Sequence, residues 1–218
     1  GHTLCEQAGA QLLNMDITYG PELRFVAPEG RGSLQKMIPS RGPLASLVGK
    51  LVPLVPDRLM ARFVRRLLVT WQHPEDALLE DGAILLNEDG ERFCDERLSP
   101  EREIAIAAQP GKRCFLLLDE ALISRYSAWP HFISTAPRIA YAYVDDYLRL
   151  RPDVAVAGRL EEVTDRRGLP SAAVRAVIDA VNVERGDVGV LPHLAGKRWA
   201  LLGPAKAYFT TTEGGVAI

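Results

Sequence analysis

The 218-residue sequence lacks every complete local signature of catalysis. No GxGxxG follows an apolar strand, and there is no Walker loop, GxSxG elbow or HExxH helix. A dinucleotide's pyrophosphate needs a glycine-rich turn that opens a helix N-terminus, where free N–H groups and the dipole meet its charge. The glycine clusters present do not supply one. Gly30-Arg31-Gly32 follows Pro28 and Glu29 rather than a strand, Gly203-Pro204 loses a donor at the proline, and Gly214-Gly215 has no helix to lead into. A self-sufficient dinucleotide enzyme is therefore not expected from this chain alone.

Cysteine is also scarce. Cys5, Cys94 and Cys114 are odd in number and far too widely spaced for a CxxC metal site, so reduced thiols, no metal and a cytoplasmic setting are expected. A surplus of one charge is missing as well: the formal net charge is -2, with basic and acidic residues interspersed, which argues against nucleic acid as a partner. The most apolar stretch, 44–71, is broken by Pro53 and Pro56 and carries Lys50, Arg58, Arg62, Arg65 and Arg66. It is too interrupted for the ~20 apolar residues of a membrane span. The first residues show no basic and apolar pattern of a leader peptide.

What is present reads as mixed helix and strand. Leu4, Ala8 and Leu12 form an apolar stripe that predicts a helix over 3–13. Residues 20–43, rich in Gly and Pro, read as irregular. Pro56 and Asp57 open a helix whose buried face is expected to be Leu59, Phe63, Leu67 and Trp71, with its arginines opposite. Residues 83–87 and 91–95 are expected to pair as a hairpin through Asp89-Gly90. A helix follows Ser99-Pro100-Glu101, with Ser99 as cap and Pro100 as the first helical residue. Pro110-Gly111 ends it, and Cys114 to Asp119 is a buried strand. Residues 160–167 form a helix closed by Gly168 and Pro170. Ser171 then caps another helix, whose inner face is Val174, Val177, Ile178 and Val181. An extended run covers 207–212. Without regular βαβ alternation, the fold class is α+β rather than a doubly wound sheet.

The order of certain pieces carries a resemblance. Gly82-Ala83-Ile84-Leu85-Leu86-Asn87, then Gly90-Glu91-Arg92-Phe93-Cys94-Asp95-Glu96, resembles the "GAILVN…GxRFxxE" signature of the fumarate reductase and succinate dehydrogenase flavoprotein family, which includes ketosteroid dehydrogenases. Gln109-Pro110-Gly111, the 114–119 strand, Leu160-Glu161-Glu162-Val163, Gly168-Leu169-Pro170 and Asn182 follow in that family's order. The start, through Ala8-Gly9-Ala10, is similar to the helix after its second "GDG" element. Thr212-Glu213-Gly214-Gly215-Val216 is similar to its "TxGG" return to the flavin domain.

The resemblance implies a substrate-capping domain inserted into a split FAD-binding fold. Residues 1–30 would be a flanking piece of the FAD-binding domain, 31–203 the cap, and 204–218 the return segment. It implies FAD as cofactor of the full-length protein and hydride exchange beside an activating carbonyl. The partners would be a small-molecule substrate and the FAD-binding domain of the same polypeptide. The isolated chain would bind no FAD and would be inactive, with an exposed docking face able to pair two copies as a homodimer. Thr212, Gly214 and Gly215 would lie nearest the flavin, since glycine admits close backbone approach.

Arg92, Arg97 and Arg102 are the candidates for holding or protonating substrate. Arg92 has two readings: an internal ion pair with Asp95 or Glu96, or a fork facing a substrate carboxylate. The pattern departs from fumarate reductases, because Glu75, Asp76 and Leu79 occupy their Thr-Glu-x-x-Arg stretch. No Arg-Asp pair stands in 97–102 for their "TTRD", and Thr210 or Thr211 replaces the substrate-binding histidine. Fumarate and succinate are therefore not carried over as substrates. Two other readings are a stand-alone domain for a small ligand or protein, and a membrane-surface protein using the basic helix up to Trp71.

Overall fold

The computed structural model describes residues 2–13, 18–27, 55–71, 73–211 and 215–217. Most of the irregular stretch expected after residue 20, together with Gly30-Arg31-Gly32, Thr212 and Gly214, lies outside these.

The described chain runs α1 (His2–Gln7), β1 (Gln11–Leu13), β2 (Thr18–Phe25), α2 (Asp57–Trp71), α3 (Ala77–Glu80), β3 (Ile84–Leu86), α4 (Glu101–Ala108), β4 (Cys114–Leu118) and α5 (Glu120–Arg125). It continues through β5 (Ser134–Ala136), β6 (Ala140–Ala142), α6 (Val144–Leu150), β7 (Ala155–Gly158), α7 (Leu160–Arg167), α8 (Ser171–Val188), β8 (Trp199–Thr211) and β9 (Gly215–Ala217). The fold is α+β, as the lack of βαβ alternation implies, and every strand pairing is antiparallel.

The long strand β8 organises the sheet. One of its edges carries β7 on Trp199–Leu202 and β2 on Ala205–Thr211; its other edge carries β4, which in turn pairs β3. All five residues of β4 are buried, so both faces of the sheet are covered. This explains why Cys114 to Leu118 reads as a continuous apolar run rather than an alternating one. Asp119 then leaves the strand to cap α5, accepting Leu122 N at 2.9 Å, and also receives Ala195 N at 3.0 Å. β2 joins residues near the start of the chain to the far half of β8, and β1 pairs β9 beside it.

Several expectations hold in outline. α7 ends at Gly168, in the left-handed conformation, and α8 buries Val174, Ile178 and Val181. α4 forms, but with Pro100 as its cap; the Ser99 hydroxyl reaches Glu103 instead, at 3.0 Å. Others are corrected. The helix expected over 3–13 stops at Gln7, and the chain turns through Ala8 and Gly9 into β1. In α2 the face is rotated: Leu59 and Phe63 are 53% and 41% exposed, while Leu68 and Val69 are buried and Val64 packs against the core. The strand expected at 207–212 begins eight residues earlier, at Trp199.

The hairpin forms only at its turn. Asn87 Oδ1 accepts Asp89 N at 3.0 Å and Glu91 N at 2.9 Å, and Leu86 bridges Arg92. Beyond that bridge the return run is not a strand, and β3 pairs β4 instead. The cause is Glu96, whose Oε1 accepts the Leu85 backbone N–H at 3.0 Å and so takes the place of a strand partner.

Candidate functional site

The segments on either side of β3, the C-terminal half of α8 and the chain after it border a small cleft of about 60 Å³ that is open to solvent. Val181 and Val188 of α8, with Val190 and Leu191 beyond it, make one apolar wall. That post-helix loop is fixed by Asn182, which donates to Leu194 O at 2.9 Å and accepts Leu194 N at 2.7 Å. Arg92, Arg97 and Arg185 bring positive charge to the cleft, and Glu96 and Glu184 bring negative charge.

The three sequence-predicted arginines separate. Arg92 and Arg97 line the cleft; Arg102 does not. Arg92 donates to both oxygens of Glu96, at 2.8–3.2 Å, and to Glu184 at 2.7 Å. This is the internal ion pair with Glu96, and those bonds push the guanidinium's pKa upward. Arg97 pairs with Asp95 at 2.9 and 3.0 Å, and the bond holds the Asp95 carboxyl below its ordinary range. Arg102 is buried, bonded to Glu103 at 2.7 Å, Asp76 at 2.8 Å and Glu96 O at 2.9 Å, where it fastens the first turn of α4.

Arg185 is the residue that sequence reasoning missed. Its signal was legible: it stands four residues after Val181 and three before Val188, on the face of α8 that is otherwise apolar. It is 8% exposed and donates to Gly82 O at 2.6 Å and Pro192 O at 2.9 Å. Gly82, at φ +111°, makes room for it, since an added Cβ would stand 3.1 Å from the guanidinium.

Neither the turn from β7 into α7 nor that from β4 into α5 fits a dinucleotide's pyrophosphate. The strand-to-helix turn from β7 into α7 contains Gly158, but its helix N-terminus is capped by the Glu162 carboxylate, bonded to Arg159 N at 3.1 Å. The turn from β4 into α5 is capped by Asp119. A carboxylate at each N-terminus fills the place an anion would take. Gly215 alone of the three flavin-side candidates is described. It pairs Leu13, and an added Cβ there would meet nothing within 4 Å, which leaves its backbone open to close approach. Among the described residues no group of His, Cys, Asp and Glu could hold a metal ion, and no helix is long and apolar enough to cross a membrane.

These elements define an α+β unit whose strands near both ends share one sheet, with an arginine-lined cleft beside it. The fold is that of a segment of a flavocytochrome c3 fumarate reductase. The open conformation of that protein matches 99% of this chain over 29% of its own length, with a TM-score of 0.53 and 15% identity. The chain thus spans less than a third of that structure. A 3-ketosteroid Δ1-dehydrogenase from Sterolibacterium denitrificans matches 67% of this chain and 30% of its own, with a TM-score of 0.48 and 16% identity. A 3-ketosteroid-Δ4-(5α)-dehydrogenase from Rhodococcus jostii RHA1 matches 98% and 33%, with 0.43 and 18%. No family model and no curated protein matches the chain.

Proposed function

We propose that this chain is the substrate-capping part of an FAD-dependent oxidoreductase that exchanges hydride between flavin and a carbonyl-activated C–C bond. The observation that carries the reading is the fold likeness to a fumarate reductase over 99% of the chain but only 29% of the enzyme. The pairing of β2 with β8 supports it, because a domain inserted into another must return its two ends side by side. Residues 31–203 are then the cap, with 1–30 and 204–218 as flanking pieces of the FAD-binding domain.

FAD, held by the rest of the polypeptide, supplies the redox chemistry when bound. The chain's own part is to orient substrate and exclude water. Arg92 and Arg97 line the cleft and would orient a polar group of the substrate, beside the carboxylates each already serves. Arg102 acts through the fold. On this reading Thr212, Gly214 and Gly215 would be the residues that meet the flavin.

The second reading, a stand-alone small-ligand domain, draws on the cleft between α8 and the residues around β3. FAD titration of two proteins separates them: this chain, and the polypeptide extended by the sequence encoded on either side. Flavin fluorescence and calorimetry should show stoichiometric binding by the extended protein and none by the chain. Tight FAD binding by the chain alone, or an extended protein without flavin, overturns the capping assignment.

A further inference from the structure

Arg185 presents a cation without an anion. Its guanidinium carries five N–H donors and meets two carbonyls, Gly82 O at 2.6 Å and Pro192 O at 2.9 Å. No described carboxylate lies within ion-pairing distance of it, and the nearby Glu96 and Glu184 are engaged by Arg92. Folding has already stripped most water from this charge and fixed its plane against Gly82, where no side chain intervenes. A ligand anion arriving here would meet a desolvated, oriented fork rather than a mobile surface arginine.

We propose that the cleft over Arg185 binds a small organic monoanion, its carboxylate on the guanidinium and an apolar body against Val181, Val188, Val190 and Leu191. Two features set the ligand class. The planar fork matches a carboxylate, and charge-assisted bonds of this kind are among the stronger hydrogen bonds. The three arginines and two glutamates that line the cleft leave one net positive charge, which one negative charge on the ligand neutralises, and Arg92 already holds both glutamates. The wall is aliphatic, which suits a hydrocarbon body of a few carbons. The site stands independently of the redox reading, because its test reads binding by this chain alone.

The probes are hexanoate, hexanol and inorganic phosphate, titrated into isotope-labelled chain and followed by amide chemical shifts. Hexanoate should move the amides of Gly82, Ala83, Val188 and Val190, and should bind at least roughly tenfold more tightly than hexanol or phosphate. Arg185→Gln should abolish the preference for hexanoate over hexanol. Because Arg185 also ties two backbone segments, a second variant keeps the test independent of folding. Val188→Asp alters a wall residue that is 65% exposed and should weaken hexanoate by roughly tenfold or more. Val183→Asp, equally exposed but outside the cleft, should leave binding unchanged. Absence of hexanoate shifts at those four amides, phosphate binding as tight as hexanoate, or undiminished binding by Val188→Asp each overturns the proposal.

Discussion

Glu96 holds Arg92 and the backbone of β3 at once: its two oxygens receive the guanidinium at 2.8–3.2 Å, and Oε1 also accepts Leu85 N at 3.0 Å. The carboxylate is 4% exposed, so its charge depends on these donors. Glu96→Gln keeps an acceptor for Leu85 but removes the charge that Arg92 answers. It should lower stability by about 2 kcal/mol, less than breaking a fully buried pair because Glu184 still meets Arg92. Arg92→Leu strands the buried carboxylate and should cost more, about 3 kcal/mol. Urea unfolding of both variants checks the order; equal losses would mean that leaving the Glu96 carboxylate without Arg92 costs no more than removing its charge.

Arg151 joins three segments that are distant in sequence. Its buried guanidinium donates to Val69 O at 2.7 Å and Thr70 O at 3.2 Å, in the last turn of α2, and to Val26 O at 2.8 Å just after β2, while Asp153 takes its remaining donors. Helix C-termini leave carbonyls without intrahelical partners, and a cation there is favoured. Lysine has the charge but not the planar fork, and it cannot reach all these acceptors together. Arg151→Lys should therefore cost about 2–3 kcal/mol. It should also speed hydrogen exchange in the last turn of α2. A loss under about 1 kcal/mol would show that water replaces these bonds without penalty.

Legibility in the sequence followed whether local pattern or distant pairing decides. α7 and α8 were readable because their apolar spacing, Gly168 and Pro170 agree with the packing they enter. The rotated face of α2 was not, since Val64 and Leu68 form a stripe as good as Leu59 and Phe63, and only the tertiary contacts choose between them. β2 and β7 were missed because each is an edge partner of β8, and nothing local announces that pairing. Arg92 and Arg97 were found through the run after Gly90. Their partners were only half legible: Glu96 is near in sequence, whereas Glu184 is ninety-two residues away. Arg185 could have been found as a charge on an apolar face.

The thiols give the stability a defined slope in alkali. Burial, and then the Glu96 carboxylate, push the Cys94 thiol up to about 12, and burial raises Cys114 as well. Above the ordinary thiol range the unfolded chain loses protons that the folded chain retains. The unfolded state then binds fewer protons, so stability falls as pH rises from about 9 toward about 12. Buried Tyr126 and Tyr147 are raised too and act with the same sign. The readout is therefore a difference: between pH 8 and 10, Cys94→Ala should lose stability less steeply than the parent chain in urea unfolding. Parallel slopes would show that Cys94 ionises equally in both states.

Gly203 is where β8 changes partners, and its substitution is the sharpest test of the sheet. On its near side Trp199–Leu202 pair β7, and on its far side Ala205–Thr211 pair β2. The register against β4 slips between Cys114 and Leu116 at the same level. Gly203 N reaches Val154 O at 2.7 Å, which anchors the strand as the edge is handed over, and Pro204, lacking an N–H, offers only its carbonyl, which accepts Val26 N at 3.0 Å. The backbone at Gly203 has φ +153°, and an added Cβ would stand 2.7 Å from Phe115 Cδ1 and 2.9 Å from Cys114 O. The second of these is backbone and cannot swing away. Gly203→Ala should thus combine conformational strain with a clash against β4 and cost about 3 kcal/mol or more. Gly215→Ala is the matched control: its Cβ meets nothing within 4 Å, so the change should stay within about 0.5 kcal/mol. Thermal or urea unfolding of the pair decides it. If Gly203→Ala were as mild as Gly215→Ala, β8 could not make the partner exchange at Gly203, and the joining of β7, β2 and β4 through one strand would have to be abandoned.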